Sequence, residues 1–397
     1  MKISYLPYNL CFGFIFIISS SFAQTKQISI KEKLYPEFSW ESIPLYMHIR
    51  KNTAFSQNEI KYLAQFPLIT LEKTTGSKTY GSTENGTLEA AKSIKKINPK
   101  SKILYYKNVV INWETYEEDE KFLKNNEDAY LKDKNGNKVY MPNKRTGFFD
   151  ISQQKVQDYW INHVTEIVKS PFIDGLFFDA NIKVLVPGFF NSKVGKDKQE
   201  EIKKGYFAMM DKTQKKLQDD NLLLANIIRV RPEFTDSGRE FLKYFHGSYI
   251  EGFDNPDFGM SYADYLAKGI EAVQKSARDG NIIAMSLGLG EAQETQEYKT
   301  DDKREEIKSF DETNNRLNYL LAIFLICAEK YSYVYPHDGY NSLTSSIWMQ
   351  KVPIYKYKLG APKGPAIKKG YIYTREFEHL KVMLDIENRT AKLDWLN

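Results

Sequence analysis

The sequence predicts an α/β protein: a (β/α)8 TIM barrel followed by a small C-terminal antiparallel β-sheet. Three observations carry that reading. Eight short apolar runs of strand length recur between residues 43 and 337, helical patterns alternate with them, and after residue 370 the rhythm changes to three strand-like runs with no helix between them. Strand–helix alternation implies parallel strands joined by crossover helices. Eight such units in roughly 300 residues fit a closed barrel better than an open doubly wound sheet. The open sheet would need a glycine fingerprint after an early strand. The nearest string, GLGEAQ at 288–293, lacks the third glycine and follows the seventh run.

The chain begins MKISYLPYNLCFGFIFIISSSFAQ. Lys2 precedes an apolar run from Leu10 to Ile18, and Ser21-Phe22-Ala23 follows, which is the charged, apolar, small-residue order of a secretory signal. A span needs about 20 apolar residues, so this run is too short, and cleavage is expected after Ala23. Cys11 lies inside the apolar stretch and not behind it, which argues against a lipoprotein signal. The expected layout is a signal peptide at 1–23, the barrel at 24–345 and a C-terminal strand region at 346–397, with the mature protein secreted or periplasmic and not inserted in a membrane.

The strand candidates are IPLYMHI (43–49), FPLITLE (66–72), KILYYKN (102–108), FIDGLFFDA (172–180), NLLLANI (221–227), GSYIEGF (247–253), NIIAMSL (281–287) and YSYVYPH (331–337). Each is rich in branched or aromatic residues and has the length of a buried strand. Between them, hydroxyl residues stand before 3.6-period stripes, as helix caps do. Ser56 precedes Ile60 and Leu63; Thr87 precedes Ala91, Ile94 and Ile97; Ser152 precedes Val156, Trp160, Val164 and Ile167; Ser261 precedes Leu266, Ile270 and Val273. YLLAIFLICA (319–328) is too short to span a bilayer and reads as a buried helix.

Two departures from the rhythm matter. Residues 109–150 form a long excursion carrying Trp113, Tyr116, Tyr130, Tyr140 and Phe148, too aromatic for disorder and expected to lie over the strand ends. Then YIYTREF (371–377), LKVMLDI (380–386) and AKLDW (391–395) predict the closing sheet, the last two joined by the polar turn Glu387-Asn388-Arg389-Thr390.

Composition excludes several classes. Of 397 residues 42% are apolar and 14% aromatic, ample for a packed core. Lys and Arg number 56 against 51 Asp and Glu, a formal charge of +5 with no basic block, so nucleic acid is not an expected partner. Two cysteines, Cys11 and Cys327, provide neither a disulfide framework nor a cysteine zinc site. The five His show no HExxH or His-x-His spacing, and no Gly-x-Ser-x-Gly elbow or P-loop occurs. No cofactor is implied.

The most specific string is Ile173-Asp174-Gly175-Leu176-Phe177-Phe178-Asp179-Ala180. In a strand Gly175, Phe177 and Asp179 share one face. If Leu176 and Phe178 pack on helices, Asp179 points inward at the C-terminal end of the fourth strand, where barrel enzymes place their chemistry. Asp174 falls at the opposite rim and reads as structural. By the same alternation Tyr249 and Glu251 face inward at the end of the sixth strand. Two carboxylates on one rim can stand the roughly 5–10 Å apart that glycoside hydrolysis needs, one as acid and one as nucleophile or base. Asp179 and Glu251 are therefore the candidate catalytic pair. Tyr249 and Phe253 beside Glu251 suggest an apolar setting that keeps it protonated, while Asn181 and Lys183 favour an ionised Asp179. Further candidates for substrate binding are His48 and Arg50 after the first strand, Glu72 and Lys73 after the second, Tyr106 and Asn108 on the third, Trp113 in the long loop, Asn226, Tyr249, and His337 with Asp338 after the eighth. A polar, aromatic rim suits sugars, whose hydroxyls need partners while their CH faces stack on rings.

With these strings in view a resemblance can be stated. The leader, LYMHIRK, FPLITLEKTTG, DISQQKVQDYWINHV before IDGLFFDA, and YTREFEHLKVMLDIENRTAKLDW together resemble a secreted glycoside-hydrolase-like TIM-barrel family, over nearly all of the mature chain. The resemblance implies a glycosidase acting on an extracellular poly- or oligosaccharide; it assigns no catalytic residue. The placing of Asp179 and Glu251 on strands four and six is similar to that in the α-galactosidase-like clan, in position only, since the clan's surrounding motifs are absent. Two rivals stand beside this reading: a non-catalytic carbohydrate-binding barrel, and a polysaccharide lyase in which Arg50, Lys73 or Lys107 neutralises a uronate.

Overall fold

A computed structural model describes residues 1, 30–142, 146–256, 259–290 and 310–396. The predicted signal segment lies outside them, as does the chain between Gly290 and Phe310. The chain divides into a short unit, Met1–Lys33, and a second, Leu34–Asn397, which holds the core.

The second unit is the predicted barrel. Its strands are β1 (Met47–Ile49), β2 (Leu68–Leu71), β3 (Lys102–Asn108), β4 (Gly175–Asp179), β5 (Leu222–Asn226), β6 (Gly247–Ile250), β7 (Ile282–Gly288) and β8 (Ser332–His337), all parallel and neighbours in chain order. The ring closes just before β1. Leu45 bridges Val334 in parallel, the Tyr46 N–H donates to the Val334 carbonyl at 2.9 Å, and the Val334 N–H donates to that of Pro44 at 2.9 Å. Nearly every strand residue is buried because both faces are covered, by interior side chains on one side and by helices on the other. β4 and β6 are built alike: each begins with a glycine whose absent Cβ would meet the next strand's carbonyl at 2.0 Å. Four residues beyond, on the same face, each carries its carboxylate, Asp179 or Glu251.

The helices follow the apolar stripes, and two of their starts differ from expectation. Ser56 and Ser261 cap the helices Gln57–Leu63 and Tyr262–Arg278, the first in a complete capping box with Glu59. The helix expected after Thr87 begins earlier, at Thr83, with Ser82 accepting from the Asn85 N–H; Thr87 is buried within it. Ser152 does not cap Gln154–Ile167, because its hydroxyl is engaged by Asp150 at 2.6 Å and Lys198 at 2.6 Å. The helix Phe310–Cys327 carries the buried run 319–328; among the described residues no helix is long and apolar enough to cross a membrane.

The closing sheet holds the three expected strands, β10 (Ile372–Glu376), β11 (Leu380–Asp385) and β12 (Thr390–Trp395), and one unpredicted, β9 (Ile367–Lys369), in the antiparallel order β12–β11–β10–β9. All residues of β9 are exposed, so its sequence shows no apolar alternation. Asp385 fastens the β11–β12 turn, accepting from the Glu387 and Asn388 N–H groups.

Candidate active site

Asp179 is the last residue of β4 and sits at the barrel's C-terminal rim. Ala180 follows in the left-handed region at φ 64°, which costs a residue bearing a Cβ about 1 kcal/mol. That turn folds the Ala180 N–H back onto Asp179 Oδ1 at 2.7 Å. From β3, the Tyr106 hydroxyl donates to Oδ2 at 2.5 Å. From β5, the Asn226 amide Nδ2 donates to Glu251 Oε2 at 2.9 Å and lies 3.5 Å from Asp179 Oδ1. One amide nitrogen therefore serves both carboxylates.

A second set of donors converges on Glu251 from the β7–β8 side. The Tyr340 hydroxyl donates to Oε1 at 3.1 Å, and its oxygen meets the Tyr249 hydroxyl at 2.7 Å and Ser286 Oγ at 3.3 Å. Ser286 in turn meets His337 Nε2 at 2.6 Å. The Gly339 N–H donates to His337 Nδ1 at 3.1 Å, so in the neutral ring the proton resides on Nε2 and points at Ser286. Arg229 Nη2 stands 3.9 Å from Glu251 Oε2.

The electrostatics differ from what sequence neighbours suggested. Burial, and then the charge of Glu251, push the Asp179 carboxyl above its ordinary value, against the opposing pull of Lys73, Tyr106 and the Ala180 N–H. Asn181 does not help it, since its side chain turns to the Phe178 carbonyl and the Tyr206 hydroxyl. Glu251 is not in an apolar pocket: its side chain is 43% exposed and accepts from Asn226 and Tyr340.

The remaining candidates fall into two groups. His48 lies at the floor, its ring packed against Phe177, Tyr249 and Tyr340, and burial pushes it down to about 3. Glu72 is paired with Arg50 at 3.0 Å and with Lys73; burial raises its carboxyl, but the two cations outweigh it and bring it to about 2. The Lys73 ammonium lies over the rings of Tyr106 (5.1 Å) and Trp113 (4.9 Å), which brings the long loop's tryptophan to the site. Other members serve the scaffold. Asn108 is buried, its side-chain oxygen holds the Val110 and Ile111 N–H groups, and its amide donates at 3.4 Å to the Tyr106 hydroxyl that bonds Asp179, so it supports the site from below. Asp338 is buried and fastens Ser345 and Ser346 in the loop after β8. Lys107 faces outward from β3 and forms a fully buried pair with Asp119 of the long loop at 2.6 Å, so it is not a rim residue.

Residues not anticipated are Tyr340, Ser286 and Arg229. Tyr340 lies just past the eighth strand in PHDGY and Arg229 just past the fifth in NIIRVR, positions where a rim residue would be sought. Ser286 is one of several small residues on an apolar strand and carried no signal. Among the described residues no group of three or more His, Cys, Asp or Glu is placed to hold a metal ion.

No curated protein matches the chain. Among solved structures, a maltogenic α-amylase AmyB from Thermotoga neapolitana is 13% identical, with 86% of this chain and 85% of that one covered and a TM-score of 0.50. The α-galactosidase AgaA from Geobacillus stearothermophilus is 11% identical over 89% of this chain and 48% of that one, at 0.47. The glycoside hydrolase domain of PelA from Pseudomonas aeruginosa is 11% identical over 65% and 87%, at 0.40. At such identities the first likeness is one of fold alone. The family model described as "Hypothetical glycosyl hydrolase family 15" matches residues 95–381, a span that contains Asp179, Glu251, Asn226 and Tyr340. With most of its length matched, the chain belongs to that family of glycosyl hydrolases.

Proposed function

We propose that the protein is an exported glycoside hydrolase that cleaves an extracellular poly- or oligosaccharide with retention of configuration, Asp179 and Glu251 being the catalytic pair. The observation that carries this is the Asn226 amide, 2.9 Å from one carboxylate and 3.5 Å from the other. Those two oxygens can be no further apart than the two distances laid end to end. With their facing oxygens held this close by one amide, the two carboxyl groups can take up the roughly 5–5.5 Å separation of retaining pairs, and that supports retention.

Solvent access orders the roles. Asp179 is fixed by donors on both oxygens, so one of them can be aimed at an anomeric carbon; burial and the charge of Glu251 oppose its ionisation, and a carboxylate ionised against that opposition is a strong nucleophile. Its attack forms the C1–O bond to the enzyme as the glycosidic C–O bond breaks. Glu251, at the open side, gives the proton to the leaving oxygen and then takes one from the water that attacks C1 and frees Asp179. The family match and the barrel support the reaction class.

A panel of polysaccharides should yield new reducing ends with the purified protein. Asp179→Asn and Glu251→Gln should each lose several powers of ten in rate, roughly 4–7 kcal/mol of transition-state stabilisation. Folded variants that keep more than a tenth of the activity would remove the pair. Export is tested separately: the secreted protein should begin at Gln24, and one beginning at Met1 would refute the signal.

A further inference from the structure

Three buried polar atoms at the mouth have no protein partner: Trp113 Nε1, Asn226 Oδ1 and Arg229 Nε. Buried polar groups are bonded in the great majority of cases; Asn226 and Arg229 stand beside the carboxylate pair, and Trp113 lies against the Lys73 ammonium. Arg229 stands out among them. Its contact with Glu251 is 3.9 Å, outside hydrogen-bond range, while Asn226 holds the same oxygen at 2.9 Å. A guanidinium serving to balance Glu251 would sit at the roughly 2.7–2.9 Å of a charge-assisted bond.

The other cations of the rim divide in the same way. Arg50 and Lys73 are engaged by Glu72, and Lys107 is behind the barrel wall. Lys183 stands in the helix Asn181–Leu185 directly after β4, where burial pushes its ammonium down against the opposing pull of Asp179. Its ammonium lies 4.6 Å from the centre of the Phe189 ring, and among the described residues no hydrogen bond or ion pair holds it. Arg229 and Lys183 thus flank the carboxylate pair with donors that the protein does not use.

The geometry points to a substrate with negative charge of its own: a sugar bearing a uronate carboxylate or a sulfate ester, gripped by Arg229, with Lys183 as the second cation. A guanidinium fork matches either planar carboxylate or sulfate oxygens, and a neutral hydroxyl cannot offset its charge. An anionic group at hydrogen-bond distance would also draw Arg229 off Glu251, easing proton uptake by the proposed acid. The assignment rests on the hydrolase reading of the pair.

The test is direct binding. Full-length Asp179→Asn protein is titrated by calorimetry with uronate-bearing, sulfated and neutral oligosaccharides of matched backbone, at low and high salt. At least one anionic set should bind tenfold or more tighter than its neutral counterpart, with a preference that falls with salt. Whether the uronate or the sulfate arm responds names the anion. Arg229→Gln should abolish the preference and Arg229→Lys should keep part of it, both with unchanged melting temperature. Equal or tighter binding of neutral sugars, or a preference that survives Arg229→Gln, overturns the assignment. The wild-type protein on the same panel separates the two ideas. Neutral glycans cut without anionic preference refute the subsite alone; anionic glycans bound with no new reducing end refute hydrolysis alone, and an unsaturated, ultraviolet-absorbing product would make the protein a lyase with the same subsite.

Discussion

Asp179 occupies a position that suits a reaction better than it suits the folded state. Burial and the neighbouring Glu251 raise its carboxyl above the value of about 3.9 expected in the unfolded chain, so the native protein holds the proton more tightly than the unfolded one. The stability tied to this group is therefore present at low pH and is lost as pH rises through the folded value. Asp179→Asn removes that ionisation, and the Tyr106 hydroxyl can turn to accept from the new amide. Denaturant unfolding at pH 7 should find the variant as stable as the wild type or more so, with the gap closing toward pH 3; a gap of opposite sign would show that the ionised carboxylate is welcome where it stands. The pair itself was legible because strand alternation needs only the local sequence, which set Asp179 and Glu251 inward. Their surroundings were legible only in part: Asn226 ends an apolar run and stands out as a rim polar residue, but Tyr340 and Arg229 lie in the loops after other strands, where no local pattern points to them. Sequence neighbours such as Asn181 and Phe253 occupy other faces.

At the scale of elements, the strands were easy to find and the helix starts less so. Apolar runs of strand length are fixed by burial on both faces, whereas a cap depends on which hydroxyl is left unclaimed; Ser152 is claimed by Asp150, and Ser82 takes the place expected of Thr87. The long loop 109–150 was recognisable by its aromatics, yet most of them serve its own packing. Tyr116, Phe148 and Phe149 are buried, and Lys107–Asp119 anchors its helix Glu117–Asn125 to the outer wall with help from the Tyr159 hydroxyl. Among the described aromatics of the loop, Trp113 is the one placed against a candidate site residue, Lys73. Its Nε1 has no protein partner, so Trp113→Phe keeps the ring and gives up no internal hydrogen bond. Melting temperature should stay within a few degrees of the wild type while sugar affinity falls about tenfold, a change of ~1.4 kcal/mol. A variant that melts much lower with unchanged affinity would make Trp113 a packing residue.

For the whole molecule, the terminal sheet is tied to the barrel through one buried cation. Arg375 of β10 is 1% exposed and donates to the Leu325 and Ala328 carbonyls at the end of the helix Phe310–Cys327 and to Glu329 at 2.9 Å. Arg375→Met would leave those carbonyls and Glu329 unpaired under the sheet, so unfolding should become easier by roughly 3–5 kcal/mol, read as a lower denaturant midpoint. A loss under 1 kcal/mol would mean that apolar contacts hold the sheet unaided. The REFE string that contributed to the family resemblance is therefore structural at its arginine.

The seam between Pro44–Tyr46 and Val334 has a consequence for how the chain is made. Nearly 290 residues separate its two sides, so a ribosome delivering the protein from its N-terminus must release all eight strands before the ring can shut. Until then β1 lacks its partner on one side, and that open edge invites pairing with other chains. Closure waits on a contact very distant in sequence, the circumstance in which folding is slow. A premature stop anywhere before residue 334 yields an open sheet, not a smaller barrel, and its fate is aggregation or proteolysis instead of partial activity.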